Sequence, residues 1–78
     1  MATTLAFELA AGGPVRLEIF AVDGRRIRSL VDAVRTAGRH EVVWQGRDSR
    51  GRAVASGTYF YRMQAGDFQA LHKMIVIK

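Results

Sequence analysis

The densest run of side chains able to do chemistry lies between Trp44 and Tyr59, with Asp48 and Gly51 near its centre. Calcium binding is the first chemistry to weigh for such a loop. A calcium loop needs several oxygen ligands, usually Asp or Asn at alternate positions. Here Asp48 follows Arg47 and precedes Arg50 by two residues, and one carboxylate among arginines is a poor cation site. The same residues suit a structural turn. Asp48 can accept hydrogen bonds from the backbone amides that follow it, and Gly51 can take the left-handed conformation that closes the turn. Trp44, two residues before Gly46, supplies a large apolar plug at a strand end. Gly57 permits a bend, after which Tyr59 can bury its ring while its hydroxyl reaches a backbone partner, as in a tyrosine corner.

Other chemistries find less support. His40 and His72 fall in strand-like segments, and neither has a second His or Glu at metal-ligand spacing. Glu41 adjoins His40, but neighbours in a strand point to opposite faces. Ser29, Ser49 and Ser56 lack the context of a nucleophile elbow. Gly12-Gly13 is too short for a phosphate-binding loop. Glu8 and Glu18 read as the outward faces of two strands rather than a catalytic pair. No cysteine is present, so disulfides, Cys-based zinc sites and thiol catalysis are excluded. No catalytic residue, cofactor or metal is therefore expected. The arginines fall into two groups, Arg25/Arg26/Arg28 and Arg47/Arg50/Arg52, both in or beside turns. Converging at one end of a fold, they would form a basic rim. A nucleic-acid partner would use that rim with Tyr59, Phe60 and Tyr61 for base stacking. Alternate aromatics of one strand serve a core better, so nucleic acid is a remote alternative.

The elements that must position these residues are short. The 78-residue chain is one domain at most, and its 49% hydrophobic content rules out a disordered tail. At this length only about 60% of the unfolded chain's surface is buried, which leaves little room for a deep enzyme cleft. The net charge of +5 would suit an anionic partner. No apolar run approaches the ~20 residues that span a membrane. The start of the chain has no basic-then-apolar leader, so an export signal would lie on a longer parent chain. Glycines punctuate short apolar stretches, as in a β-sandwich or barrel. Leu5/Phe7/Leu9 and Val15/Leu17/Ile19 alternate at period two. Asp23-Gly24 and Gly66-Asp67 mark hairpins, the first because both residues tolerate positive φ. His40–Trp44, Thr58–Ala65 and Phe68–Ile77 complete the strand candidates. The uninterrupted run Met74–Ile77 fits a strand covered on both faces or one with a partner. Ile27, Leu30, Val31 and Val34 sit at helical spacing, which leaves open a helix from Arg25 to Thr36 or a strand through Ile27–Leu30 followed by a loop.

Several motifs in order resemble one family. Gly13-Pro14-Val15-Arg16-Leu17-Glu18-Ile19-Phe20-Ala21-Val22-Asp23-Gly24-Arg25 is similar to the "G-x-V-x-L-x-I-Y-D-x-x-G-R" opening of FlgD-like Ig domains. Ala37–Trp44 resembles "A-G-x-H-x-V-x-W", and Trp44–Met63 resembles "W-D-G-x-D-x-x-G-x-x-V-x-S-G-x-Y-x-Y-R-L". Lys73–Lys78 is similar to the terminal "R-K-M-V-L-L-K". The likeness runs from about Thr3 to Lys78. Gln45 departs from it, standing where an acidic residue is common. Such domains occur in the flagellar hook-capping protein and at the C-termini of secreted bacterial proteins, where they overlap with type IX secretion sorting domains.

The resemblance implies an all-β fold, a small Ig-like β-sandwich of about seven antiparallel strands, with no catalytic site. It favours a strand near Arg26–Leu30 and then a loop to Gly38. The expected core is Leu5, Phe7, Leu17, Ile19, Trp44, Tyr59, Tyr61 and Met63. The expected role is a non-enzymatic C-terminal module of an exported protein, acting outside the cell or at its surface. Its partner would be secretion or surface-attachment machinery, or neighbouring subunits if it serves assembly as in the hook cap. Lys73, Met74, Ile75, Val76, Ile77 and Lys78 form the candidate recognition edge, by strand addition.

Overall fold

In the computed structural model, which describes residues 2–77, the alternating segments become six strands. They are β1 (Thr3–Leu9), β2 (Gly13–Ala21), β3 (Arg26–Arg35), β4 (Gly38–Trp44), β5 (Gly57–Ala65) and β6 (Phe68–Val76). β1 pairs with β4, while the other strands form an antiparallel sheet in the order β3-β2-β5-β6. Inward side chains of both sheets meet in one core, which makes an Ig-like sandwich with six strands among the described residues rather than about seven. Leu5 and Leu9 enter the core from β1 and Trp44 from β4. Val15, Leu17 and Ile19 enter from β2, Tyr59 and Met63 from β5, and Val76 from β6. Of the expected core, Phe7 and Tyr61 are only partly buried. Each is instead flanked by a histidine, Phe7 by His40 at 5.3 Å and Tyr61 by His72 at 5.1 Å between ring centroids.

The ambiguous segment is neither a helix nor a strand that stops at Leu30. β3 runs through Arg35 and pairs with β2 as far as Gly13. Its register slips opposite Leu17/Glu18 and again opposite Ile19/Phe20, leaving Leu30 and Ile27 as extra residues. Such bulges break the period of two while keeping the chain extended. Apolar residues at helical spacing are thereby strung along a strand. Ile27 and Val31 enter the core, Leu30 is half-buried, and Val34 remains 71% exposed.

The β2–β3 connection differs from a two-residue Asp-Gly hairpin. Gly24 N–H donates to Ala21 C=O at 3.0 Å, and Ala21 N–H donates to Arg25 C=O at 2.9 Å. Only Gly24 takes a positive φ, of 87°. This is a three-residue loop closed by a left-handed glycine. Asp23 keeps a negative φ and instead accepts the Arg25 N–H through Oδ1 at 3.0 Å.

Of the two readings of Met74–Ile77, coverage on both faces is not met. β6 is an edge strand bonded to β5, and exposure alternates from Met74 to Val76. Val76 is 1% exposed, whereas Ile75 is 65% exposed and Ile77, just past the strand, 77%.

Candidate functional site

The loop from Gln45 to Ser56 folds back on itself. Val54 N–H donates to Gly46 C=O at 2.9 Å, and Arg47 bridges Ala53. At its tip Asp48 N–H donates to Arg52 C=O at 2.9 Å and Gly51 N–H to Asp48 C=O at 3.0 Å. That is the bonding pattern of the β2–β3 tip, repeated. Gly51 takes the left-handed conformation with φ of 81°, which a Cβ would oppose. Asp48 Oδ1 accepts the backbone N–H groups of Arg50 and Arg52, each at 2.9 Å, and Oδ2 accepts Arg52 Nε at 3.1 Å. The Arg52 backbone bond is the largest influence on this carboxyl and lowers its pKa. Partial burial works against it, and the Arg50 N–H and the Arg52 side chain add to the lowering. The carboxylate is thus committed to N–H donors that hold the turn.

Two rings anchor this loop to the core. Trp44 is buried and its Nε1–H donates to Arg47 C=O at 2.9 Å. Tyr59 packs edge-on to Trp44 with centroids 5.8 Å apart, and its hydroxyl donates to Ala55 C=O at 2.7 Å. Gly57 opens β5 just before it. Trp44, Gly46, Asp48, Gly51, Gly57 and Tyr59 therefore lie in or beside one loop. They are brought together as a scaffold whose polar groups satisfy one another.

Residues of the candidate recognition edge lie on β6 and just beyond it; Lys78 falls outside the described residues. β6 and β1 each have one edge without a strand partner among the described residues. A cleft of about 210 Å³ lies between these strands, touched by Leu5–Glu8 on one side and by Phe68, Ala70 and His72 on the other. Leu17, Tyr61 and Met63 also line it. A second cavity, of about 570 Å³, opens at the end of the sandwich where the β1–β2 and β5–β6 turns meet. The sandwich is therefore unzipped along one flank.

Sequence reasoning missed a polar cluster on the outward face of the larger sheet. Glu18 faces outward as expected, yet it is only 3% exposed. Arg62 Nη2 and Arg26 Nη1 reach its two carboxylate oxygens, each at 3.1 Å. Burial is the largest single influence on Glu18 and raises its pKa. The bonds from Arg62 and Arg26, with the charges of Arg16 and Arg62, together outweigh it and leave the pKa below 4.5. Arg62 also lies over the Phe20 ring at 4.9 Å, and its buried Nε has no hydrogen-bond partner. The signal was present in the Glu–Arg pairing across β2 and β5, but finding it required the register. His40 and His72 lie on different sheets; His40 Nε2 donates to Thr36 C=O at 2.7 Å. Among the described residues no group of three or more His, Asp or Glu is placed to hold a metal ion. Among the described residues no helix is long and apolar enough to cross a membrane.

The family model of the FlgD Ig-like domain matches residues 1–68. The chain belongs to the FlgD Ig-like domain family. The match bears out the FlgD Ig-like part of the resemblance. The family is one of structural, non-catalytic modules. No curated protein and no solved structure matches this FlgD Ig-like domain. The family match ends at Phe68, the first residue of β6, so nearly all of the candidate edge strand lies beyond it.

Proposed function

We propose that this FlgD Ig-like domain is the non-catalytic C-terminal module of an exported bacterial protein, recognised as a folded unit by sorting or surface-attachment machinery of the type IX kind. It would act outside the cell or at its surface, with the export signal elsewhere on a parent chain. The observation that carries this reading is the β6 edge that has no strand partner among the described residues, with Ile75 and Ile77 exposed beside it. An exposed apolar edge strand is a ready template for strand addition by a partner. The experiment fuses the domain to a passenger and expresses it in a type IX-competent host. Removing residues 73–78 is expected to abolish export. Because Val76 belongs to the core, the I75K/I77K pair supplies a version that leaves the core intact. Full export of that folded pair would overturn recognition through this edge.

A second reading, favoured by the family match, is an assembly module that packs against neighbouring subunits as in a flagellar hook cap. The parent reading frame separates the two. An upstream signal peptide with catalytic or adhesin domains favours sorting, and a short hook-cap region favours assembly.

A further inference from the structure

The two arginine groups meet at the edge of the larger sheet opposite β6. Ser49 N–H donates to Ile27 C=O at 3.0 Å, and Arg28 Nη1 donates to Asp48 C=O at 3.0 Å, so the loop tip is laced to the start of β3. Acidic groups here are few and mostly engaged. Arg26 is paired with Glu18, and Arg52 with Asp48. Arg47 Nη1 is held by Gly51 C=O at 2.9 Å. Arg25 and Arg50 form no ion pair among the described residues. Between Arg26 and Arg28 lies a cleft of about 300 Å³, completed by Ile27, Ser29 and Ser49. Two arginines and two serines line it and no acidic residue does, although Arg26 already holds Glu18 with Nη1.

We propose that this cleft docks a carboxylate of an acidic peptide segment on a partner protein, with Arg25 and Arg50 flanking it and meeting further carboxylates. A guanidinium carries five N–H donors in a planar fork that matches a carboxylate, and one engaged nitrogen leaves the others available. Charge complementarity selects an acidic partner, since six arginines lie at this end of the chain against Asp23, Asp48 and Glu18. Trp44 and Tyr59 are buried, and Phe20 and Phe60 on the adjacent outer face are half-buried, Phe20 beneath the Arg62 guanidinium, so no fully exposed ring stands here as a stacking platform among the described residues. Ser49 occupies the β3 edge at Ile27, which leaves side chains rather than strand addition to hold the partner. The inference is independent of recognition through β6, which lies across the sheet.

The test is an amide NMR titration of the domain at low salt with a hexaglutamate peptide. Inorganic phosphate and a single-stranded oligonucleotide are run in parallel. Saturable shifts are expected at Arg26, Arg28, Ser29 and Ser49, fading as salt rises. R28Q is expected to weaken binding about tenfold. Because Arg28 also braces the loop, the R25Q/R50Q pair serves as a second variant; both side chains are exposed. It is expected to weaken binding about twofold to fivefold with the amide spectrum otherwise unchanged. Absence of saturable binding at millimolar peptide overturns the proposal, as does unchanged binding in both variants. So does an oligonucleotide that binds more tightly than the peptide, or phosphate that binds as tightly.

Discussion

Arg62 reaches across the β2–β5 ladder to Glu18, its register partner, and sets Nη2 3.1 Å from Oε1. Arg26 approaches the other oxygen from β3, so one carboxylate ties together three adjacent strands. The pair lies on the solvent side of the sheet, yet Glu18 is hidden beneath the guanidinium groups.

Acid should therefore loosen this domain in a defined window. Both Glu18 and Asp48 have pKa values lowered on folding, so their stabilisation is fully present above the unfolded values of 4.5 and 3.8. It is lost as pH falls through the lower folded values, because the unfolded chain then binds protons first. Melting temperature followed by circular dichroism from pH 7 to pH 2.5 should drop below about pH 4.5. In an E18Q/D48N variant the acid limb should be flatter. An equal drop in that variant would place the acid sensitivity elsewhere.

Y59F keeps the ring and deletes the hydroxyl that donates to Ala55 C=O. The expected loss is about 1 kcal/mol, the usual net worth of such a bond. Urea denaturation should show it as a lower midpoint with an unchanged slope.

G51A places a Cβ on a left-handed residue in otherwise open space, so the penalty is conformational rather than steric crowding. About 1–2 kcal/mol is expected. G51N should recover part of it, since Asn tolerates this conformation better. Parallel thermal melts of the two variants check the order.

W44A removes the largest fully buried side chain together with its bond to Arg47. A loss of about 3–5 kcal/mol is expected, comparable to the whole stability of many small domains. The variant should give a collapsed amide spectrum at 25 °C. W44F should remain folded with a lower melting temperature.

Neighbouring residues on β6 should respond oppositely. V76A opens a core position and is expected to cost about 2 kcal/mol. I75K, on the outward face, should stay within about 0.5 kcal/mol of the parent. Chemical denaturation of both variants measures the contrast.

How much of this was legible depends on the range of the signal. Strict alternation exposed β1 and β2, because one face of each meets the core and the other meets solvent. The Asp48–Gly51 turn and the Tyr59 hydroxyl were visible as local chemistry, since their partners lie within a few residues. β3 was harder, because two bulges shifted its apolar residues onto helical spacing. Likewise, composition left Met74–Ile77 open between a doubly covered strand and one with a partner, since an edge strand with an uncovered apolar face carries the same composition as a buried one. The Glu18 cluster depended on which residues of β3 and β5 fall opposite it, and register is not a local property. The meeting of the two arginine groups required the Ser49–Ile27 bond, which joins distant parts of the chain.

The pairing of β1 with β4 has a kinetic consequence. Thr3 sits opposite Trp44, so the whole β2–β3 hairpin is enclosed between the partners of the smaller sheet. The hairpins β2–β3 and β5–β6 close short loops and can form early. β1 must wait for a loop closure whose entropy is repaid only when both sheets are present. Refolding should accordingly proceed on the millisecond-to-second scale of non-local β topologies, with burial of the lone tryptophan reporting the late docking of the first strand.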